Sequence, residues 1–143
     1  MIVVVDASVA VKWFVDADWA LHEDHVEQAL ALLTAGADGE LELLQPPHFL
    51  AEVASVPARL APERALQNIT DLTALDFDWA APTDSYARAI ALSRQLDHHL
   101  CDTLYHALAL ETPGAALVTA DRRYFDKARR LGQIAWLPDW RKS

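Results

Sequence analysis

Two short apolar runs constrain this chain more than anything else in it: Ile2-Val3-Val4-Val5 near the start and Ala115-Ala116-Leu117-Val118-Thr119 near the end. Neither alternates polar with apolar residues, so both read as strands buried on two faces, the kind found in parallel sheets covered by helices. The rest of the chain falls mostly into helical patterns. Residues 8–15 form one and residues 19–35 a second, ended by Gly36 or Gly39. Leu41-Glu42-Leu43-Leu44 is a further strand before Pro46-Pro47. A third helix carries Phe49, Leu50, Val53 and Val56, and Pro57 is expected to kink or end it, since proline removes a backbone donor and clashes with the preceding turn. Pro62 opens a fourth helix. Residues 75–79 alternate as a strand or extended connection, and Thr83 caps a helix through Tyr86, Ile90 and Leu92. Another helix spans residues 100–111, Asp121 opens a basic helix that Gly132 ends, and Ile134-Ala135-Trp136-Leu137 is the last strand. Strands alternating with helices predict an α/β fold with a mostly parallel central sheet and helices on both faces. With no linker, repeat or low-complexity stretch, residues 1–143 are expected to form a single domain.

Composition removes several classes of function. The four glycines (Gly36, Gly39, Gly114, Gly132) are scattered, which excludes the glycine-rich cradles of nucleotide-binding loops. A lone Cys101 excludes an intrachain disulfide and multi-cysteine metal sites, and suits a reducing compartment. No apolar run approaches the ~18 residues of a membrane span, and the N-terminus lacks the basic region of a signal peptide, so a cytoplasmic protein is expected. The net charge of −9 argues against holding nucleic acid by bulk attraction, yet leaves room for an enzyme that draws cations to its acidic groups. Five of the 12 basic residues lie within positions 122–130, whereas residues 16–42 are acidic.

The acids carry the functional argument. In open parallel sheets, sites form outside the carboxyl ends of the strands. Asp6 immediately follows the first run, and Asp121 follows the second after one small residue. Glu52 sits among Phe49, Leu50, Val53 and Ala54, and Asp102 near the start of a largely apolar helix. A carboxylate in such surroundings is costly unless its charge is cancelled. Taken singly, Asp6 and Asp121 read equally well as helix N-caps and Asp102 as a first-turn acid favoured by the helix dipole. Taken together at one end of a sheet, the four would repel one another and call for a hard divalent cation, Mg²⁺ or Mn²⁺.

The blocks Val3-Val4-Val5-Asp6-Ala7-Ser8, Leu50-Ala51-Glu52-Val53, Cys101-Asp102-Thr103-Leu104-Tyr105-His106-Ala107-Leu108-Ala109 and Leu117-Val118-Thr119-Ala120-Asp121-Arg122-Arg123-Tyr124-Phe125 resemble, in order and spacing, the four acidic blocks of PIN-domain ribonucleases. The small size further resembles the VapC toxins of type II toxin–antitoxin modules. The resemblance implies a three-layer α/β/α fold, a Mg²⁺- or Mn²⁺-dependent endoribonuclease, a homodimer, and a small antitoxin protein that blocks the site. Where family members often carry an asparagine after the glutamate and an aromatic residue before the third acid, this chain has Ser55 and Cys101.

On this reading Asp6, Glu52, Asp102 and Asp121 are the catalytic acids. Asp6, Asp102 and Asp121 hold the ion, with Glu52 as a further ligand or a base. Ser8 and Thr119 bond to water on the ion or hold an aspartate in place; each equally reads as a cap. Arg122, Arg123 and Lys127 either grip RNA phosphates or form a solvated helix face. Lys12 reads as a surface lysine. The clusters His22-Glu23-Asp24-His25 and His98-His99 lack a recognised zinc spacing and read as polar loops or helix faces; His48, one turn before Glu52, reads either as such a face or as a support for that acid. The five tryptophans read as core or interface residues. Two rival classes stay open: a metal-dependent phosphoryl-transfer protein of the receiver or haloacid-dehalogenase type, and a catalytically silent binding partner. The former needs a second acid beside the first and a lysine after a late strand, where this chain has Val5, Ser8 and Ala120-Asp121.

Overall fold

A computed structural model describes residues 1–14, 23–80 and 82–142. The strands β1 (Ile2–Val5), β2 (Glu42–Gln45), β3 (Phe77–Trp79), β4 (Ala115–Thr119) and β5 (Ile134–Trp136) form one sheet in the order β3-β2-β1-β4-β5, every pair parallel. Around it lie α1 (Ala7–Ala10), α2 (Val26–Ala37), α3 (Phe49–Leu60), α4 (Pro62–Thr73), α5 (Thr83–Leu96), α6 (Leu100–Leu110) and α7 (Arg122–Ala128), giving the three-layer α/β/α arrangement. The two apolar runs are the centre of the sheet. Val3, Val4 and Val5 are fully buried, as are Leu117, Val118 and Thr119, which explains why neither run tolerates polar alternation. Among the described residues, no helix is long and apolar enough to cross a membrane.

Because β1 and β4 are parallel and pair Val5 with Val118, their carboxyl ends finish side by side. The Asp6 N–H donates to the Val118 carbonyl at 3.0 Å, so the first acid is tied to β4 through its own backbone. On the other flank, the buried Gln45 acts as a substitute for backbone. Its Oε1 accepts from the Val5 N–H at 2.7 Å and its Nε2 donates to the Val5 carbonyl at 2.9 Å. Helix α6 lies across β1 and β4, and α5 packs against α6 through Ala89, Leu92, Leu104 and Ala107. The Thr103 hydroxyl, donating to the Ala89 carbonyl at 2.9 Å, fixes the start of α6. Asp102 therefore stands over the ends of both central strands.

Several local expectations are corrected. Residues 8–15 are not one helix: α1 is a single turn, followed by a 3₁₀ segment over Val11–Phe14, and Val15 lies outside the described residues. That tighter turn carries Lys12 inward, leaving it 6% exposed with Nζ 2.6 Å from Glu23 Oε1 and 2.7 Å from the Asp24 carbonyl, so it is no surface lysine. The second helix begins at Val26; the earlier part of that pattern, with Trp19 and His22, lies outside the described residues. Gly36 sits inside this helix for packing, because a Cβ there would come within 2.6 Å of Leu43 Cδ1; the left-handed residue after the helix is Gly39, φ 74°. Pro57 does not end α3. The Ala61 N–H regains the Pro57 carbonyl at 2.8 Å, and the break falls at Ala61 (φ −149°, ψ 65°), with Pro62 in the first turn of α4. Thr83 is the first residue of α5 and Pro82 its cap. Trp13 and Trp140 are buried, but Trp79 is 41% exposed.

Candidate active site

Asp6 is built into the fold by its neighbours' hydroxyls. It caps α1, and its Oδ2 accepts from the Ser8 N–H at 3.1 Å and from the Ser8 hydroxyl. The Thr119 hydroxyl reaches the same oxygen at 3.5 Å. Each hydroxyl in turn accepts a backbone N–H, Ser8 from Ala120 at 3.0 Å and Thr119 from Asp121 at 3.0 Å, which aims both protons at Asp6. Ser8 and Thr119 thus hold the aspartate in place and lace β1 to the segment after β4. Burial pushes the Asp6 carboxyl up to about 7, against the pull of the Ser8 bonds; the charges of Asp102 and Glu52 push the same way.

Asp102, in the first turn of α6, has its Oδ2 3.2 Å from His98 Nε2. Burial raises its pKa, as do Glu52 and Asp121, and His98 and His99 only partly offset them. Asp121 caps α7, its Oδ1 accepting from the Tyr124 N–H at 3.1 Å, while its Oδ2 lies 3.8 Å from the same His98 nitrogen. The cap reading of Asp6 and Asp121 and the site reading are therefore not rivals, since capping uses only part of each carboxylate. His98, Asp102 and Asp121 place possible ligand atoms within 4.8 Å of one another, and among the described residues no such group includes Asp6.

Glu52, in the first turn of α3, accepts from the Tyr105 hydroxyl at 2.6 Å and lies 3.3 Å from His48 Nε2. Burial alone would raise its pKa; the bonds from His48 and Tyr105 outweigh it, and the net shift is downward. His48 also donates from Nε2 to the Cys101 carbonyl at 2.8 Å, joining α3 to α6. Tyr105 is fully buried, and its hydroxyl is held protonated by burial and by Glu52.

Two residues at these acids, His98 and Tyr105, escaped the sequence reading. His48 supports Glu52, the alternative its spacing left open, whereas His98 reads from sequence as polar surface; each stands four positions before an acid, one helical turn away, and lies against it. That repeated spacing was the signal. Tyr105 gave none, because an aromatic in an apolar helix reads as core.

The basic residues do not form one strip. Arg122 is turned to Asp126, 3.1 Å from Nε, and stacks over Trp136 at 5.4 Å. Lys127 donates to the Asp97 carbonyl at 2.8 Å and reaches His98 Nδ1 at 3.3 Å. Arg123 is exposed and lines an open cleft of about 380 Å³ with Ser93, Asp97, His98, His99 and Asp102. A larger cavity, about 560 Å³, lies between α2 and the C-terminal segment and contains none of the four acids.

The donor set fits a hard divalent cation. Asp6, Asp102 and Asp121 offer carboxylate oxygen, two of them with pKa values raised by burial and by neighbouring carboxylates. Among the described residues, no lysine or arginine nitrogen lies within 4.0 Å of these three or of Glu52, and imidazole is their only ion-pair partner. A family model described as PIN domain matches residues 3–131 of the chain. No curated protein matches it.

Proposed function

Because the chain belongs to the PIN-domain family, whose members are as a class metal-dependent nucleases, we propose that it is a Mg²⁺- or Mn²⁺-dependent endoribonuclease acting as the toxin of a type II toxin–antitoxin pair. One observation carries the reading: Asp102 and Asp121 share His98 within 4.8 Å, and the charges of Glu52 and Asp102 act on Asp6 at the end of β1, with imidazoles but, among the described residues, no lysine or arginine paired to these acids. Asp6, Asp102 and Asp121 hold the cation. When bound there, a divalent cation would lower the pKa of a water and offset charge on the phosphate.

The chain's own residues do the rest. Ser8 and Thr119 keep Asp6 aimed into the site. Glu52, held ionised by His48 and Tyr105, accepts a proton as base or adds a further ligand oxygen. Arg123, in the cleft beside Asp102, contacts an RNA phosphate flanking the cut, with Arg122 and Lys127 on the same helix as further candidates. The size and block order support a VapC-type toxin working as a homodimer and silenced by a small antitoxin protein.

The test is cleavage of structured RNA by purified protein with Mn²⁺ omitted, added and chelated, beside the Asp102→Asn variant. Cleavage that needs the ion and is lost in the variant, with the fold intact by circular dichroism, supports the assignment. Wild-type cleavage by the variant, or cleavage in chelator, rejects it.

A further inference from the structure

His98 stands among possible ligands, yet its surroundings give it another task. We propose that His98 and Lys127 are a positioning pair: Lys127 fixes the imidazole with its Nε2–H side toward Asp102, excluding His98 from the ion's ligands. This rests on reading the carboxylate cluster as a cation site. An ammonium group has only donors, so the Lys127 Nζ, 3.3 Å from Nδ1 and anchored on the Asp97 carbonyl, requires a lone pair on Nδ1. The neutral ring then carries its proton on Nε2, the nitrogen 3.2 Å from Asp102 Oδ2 and 3.8 Å from Asp121 Oδ2. That nitrogen therefore stands between an acid on α6 and an acid before α7.

The ring cannot easily turn away. Its side chain is 8% exposed and packs edge-on against Tyr124 with centroids 4.9 Å apart. Its backbone is tied to Ser93 in both directions, by its own N–H to the Ser93 carbonyl and by the Ser93 hydroxyl to its carbonyl. The residue before it, Asp97, takes the left-handed conformation that delivers the ring to this spot. For Nε2 to ligate an ion, the proton would have to move to Nδ1, where it would face the Lys127 ammonium. Lys127 thereby keeps the site an all-oxygen one, suited to Mg²⁺ or Mn²⁺, and closes it to the softer Zn²⁺ that prefers imidazole.

Nitrogen NMR of the metal-free protein reads the tautomer directly, and it does so whether or not the chain cleaves RNA. The neutral His98 ring of the wild-type protein is expected as the Nε2–H form. Lys127→Met is expected to give a mixture or the Nδ1–H form, and Lys127→Arg, still donor-only, to keep the wild-type signal. In titrations with Zn²⁺ and Mn²⁺ alone, Lys127→Met is expected to raise the Zn²⁺-to-Mn²⁺ affinity ratio about tenfold, the scale of changes around a metal's ligands. A wild-type Nδ1–H signal, or an unchanged tautomer in Lys127→Met, overturns the tautomer lock. An unchanged affinity ratio overturns the exclusion of His98. Failure of the wild-type protein to bind Mn²⁺ would instead strike the cation-site reading while leaving the tautomer result standing.

Discussion

His48–Glu52 at the start of α3 and His98–Asp102 at the start of α6 share one spacing, an imidazole four positions before an acid, with opposite results. Glu52 is held below its ordinary pKa, and Asp102 is pushed above its own. Both acids are half-buried, so burial does not separate them. Glu52 gains a second donor, the Tyr105 hydroxyl. Asp102 has His98 on one side and the charges of Glu52 and Asp121 on the other. An i,i+4 spacing alone thus does not set the charge: His48 hydrogen-bonds Glu52 and with Tyr105 lowers its pKa, whereas His98 acts on Asp102 through charge alone and is outweighed by burial, Glu52 and Asp121.

Removing each acid in turn is the severest way to break the comparison. Asp102→Asn and Glu52→Gln should both lower RNA cleavage by about 10²–10³-fold, the scale seen when one preorganised electrostatic group is lost. Their effects on the metal-free fold should differ in sign. Asp102→Asn relieves repulsion and raises the melting temperature, whereas Glu52→Gln deprives His48 and the buried Tyr105 hydroxyl of an ionised acceptor and lowers it. Melting curves in chelator check this, and equal signs would contradict the proposed contrast.

Asp6 extends the comparison to a carboxyl group with strong hydroxyl partners and still a raised pKa. Folded, it keeps its proton to about pH 7; unfolded, it loses it near the ordinary value of about 4. Between these limits the folded state binds more protons, so Asp6 makes metal-free stability fall as pH rises from about 4 to about 7, with no further change above. Calorimetry in chelator across that range should show the decline flattened in Asp6→Asn, and Mg²⁺ should restore most of the loss at pH 8. An identical slope in the variant would show that other groups govern it.

The smallest change is Tyr105→Phe, which leaves Glu52 only His48. It should cost about 1–2 kcal/mol by denaturant unfolding, as for a buried hydrogen bond to a charged group. The acidic limb of the cleavage–pH profile should shift upward as Glu52 loses its stabilising donor. A profile that stays in place would mean Tyr105 only fills space.

What could be read from the chain follows the range of the forces involved. Uninterrupted burial marked β1 and β4, and the short steps from each strand to Asp6 and Asp121 placed these acids at the sheet's carboxyl edge. The order β3-β2-β1-β4-β5 was not readable, because it depends on pairings between residues far apart, such as Val5 with Val118. Helix ends were misjudged where packing outweighed local preference. Gly36 serves Leu43 and not a terminus, and Pro57 gives up one backbone bond inside a helix that tertiary contacts keep intact. For the histidines the spacing was visible, and for His48 it suggested support of Glu52, but the further partners, Cys101 for His48 and Lys127 for His98, come from other helices.

The carboxamide of Gln45 has a consequence for how this architecture tolerates change. The side chain of the last residue of β2 completes the rung beside Val5, so the placement of Asp6 depends on β2 reaching Gln45 and on nothing after it. The connection leaving Gln45 toward α3 is free to lengthen or shorten without dragging the first acid, because the anchor sits upstream of any insertion. An exchange-resistant Val5 amide, shielded by a carboxamide in place of a backbone carbonyl, is the solution-state mark of that independence.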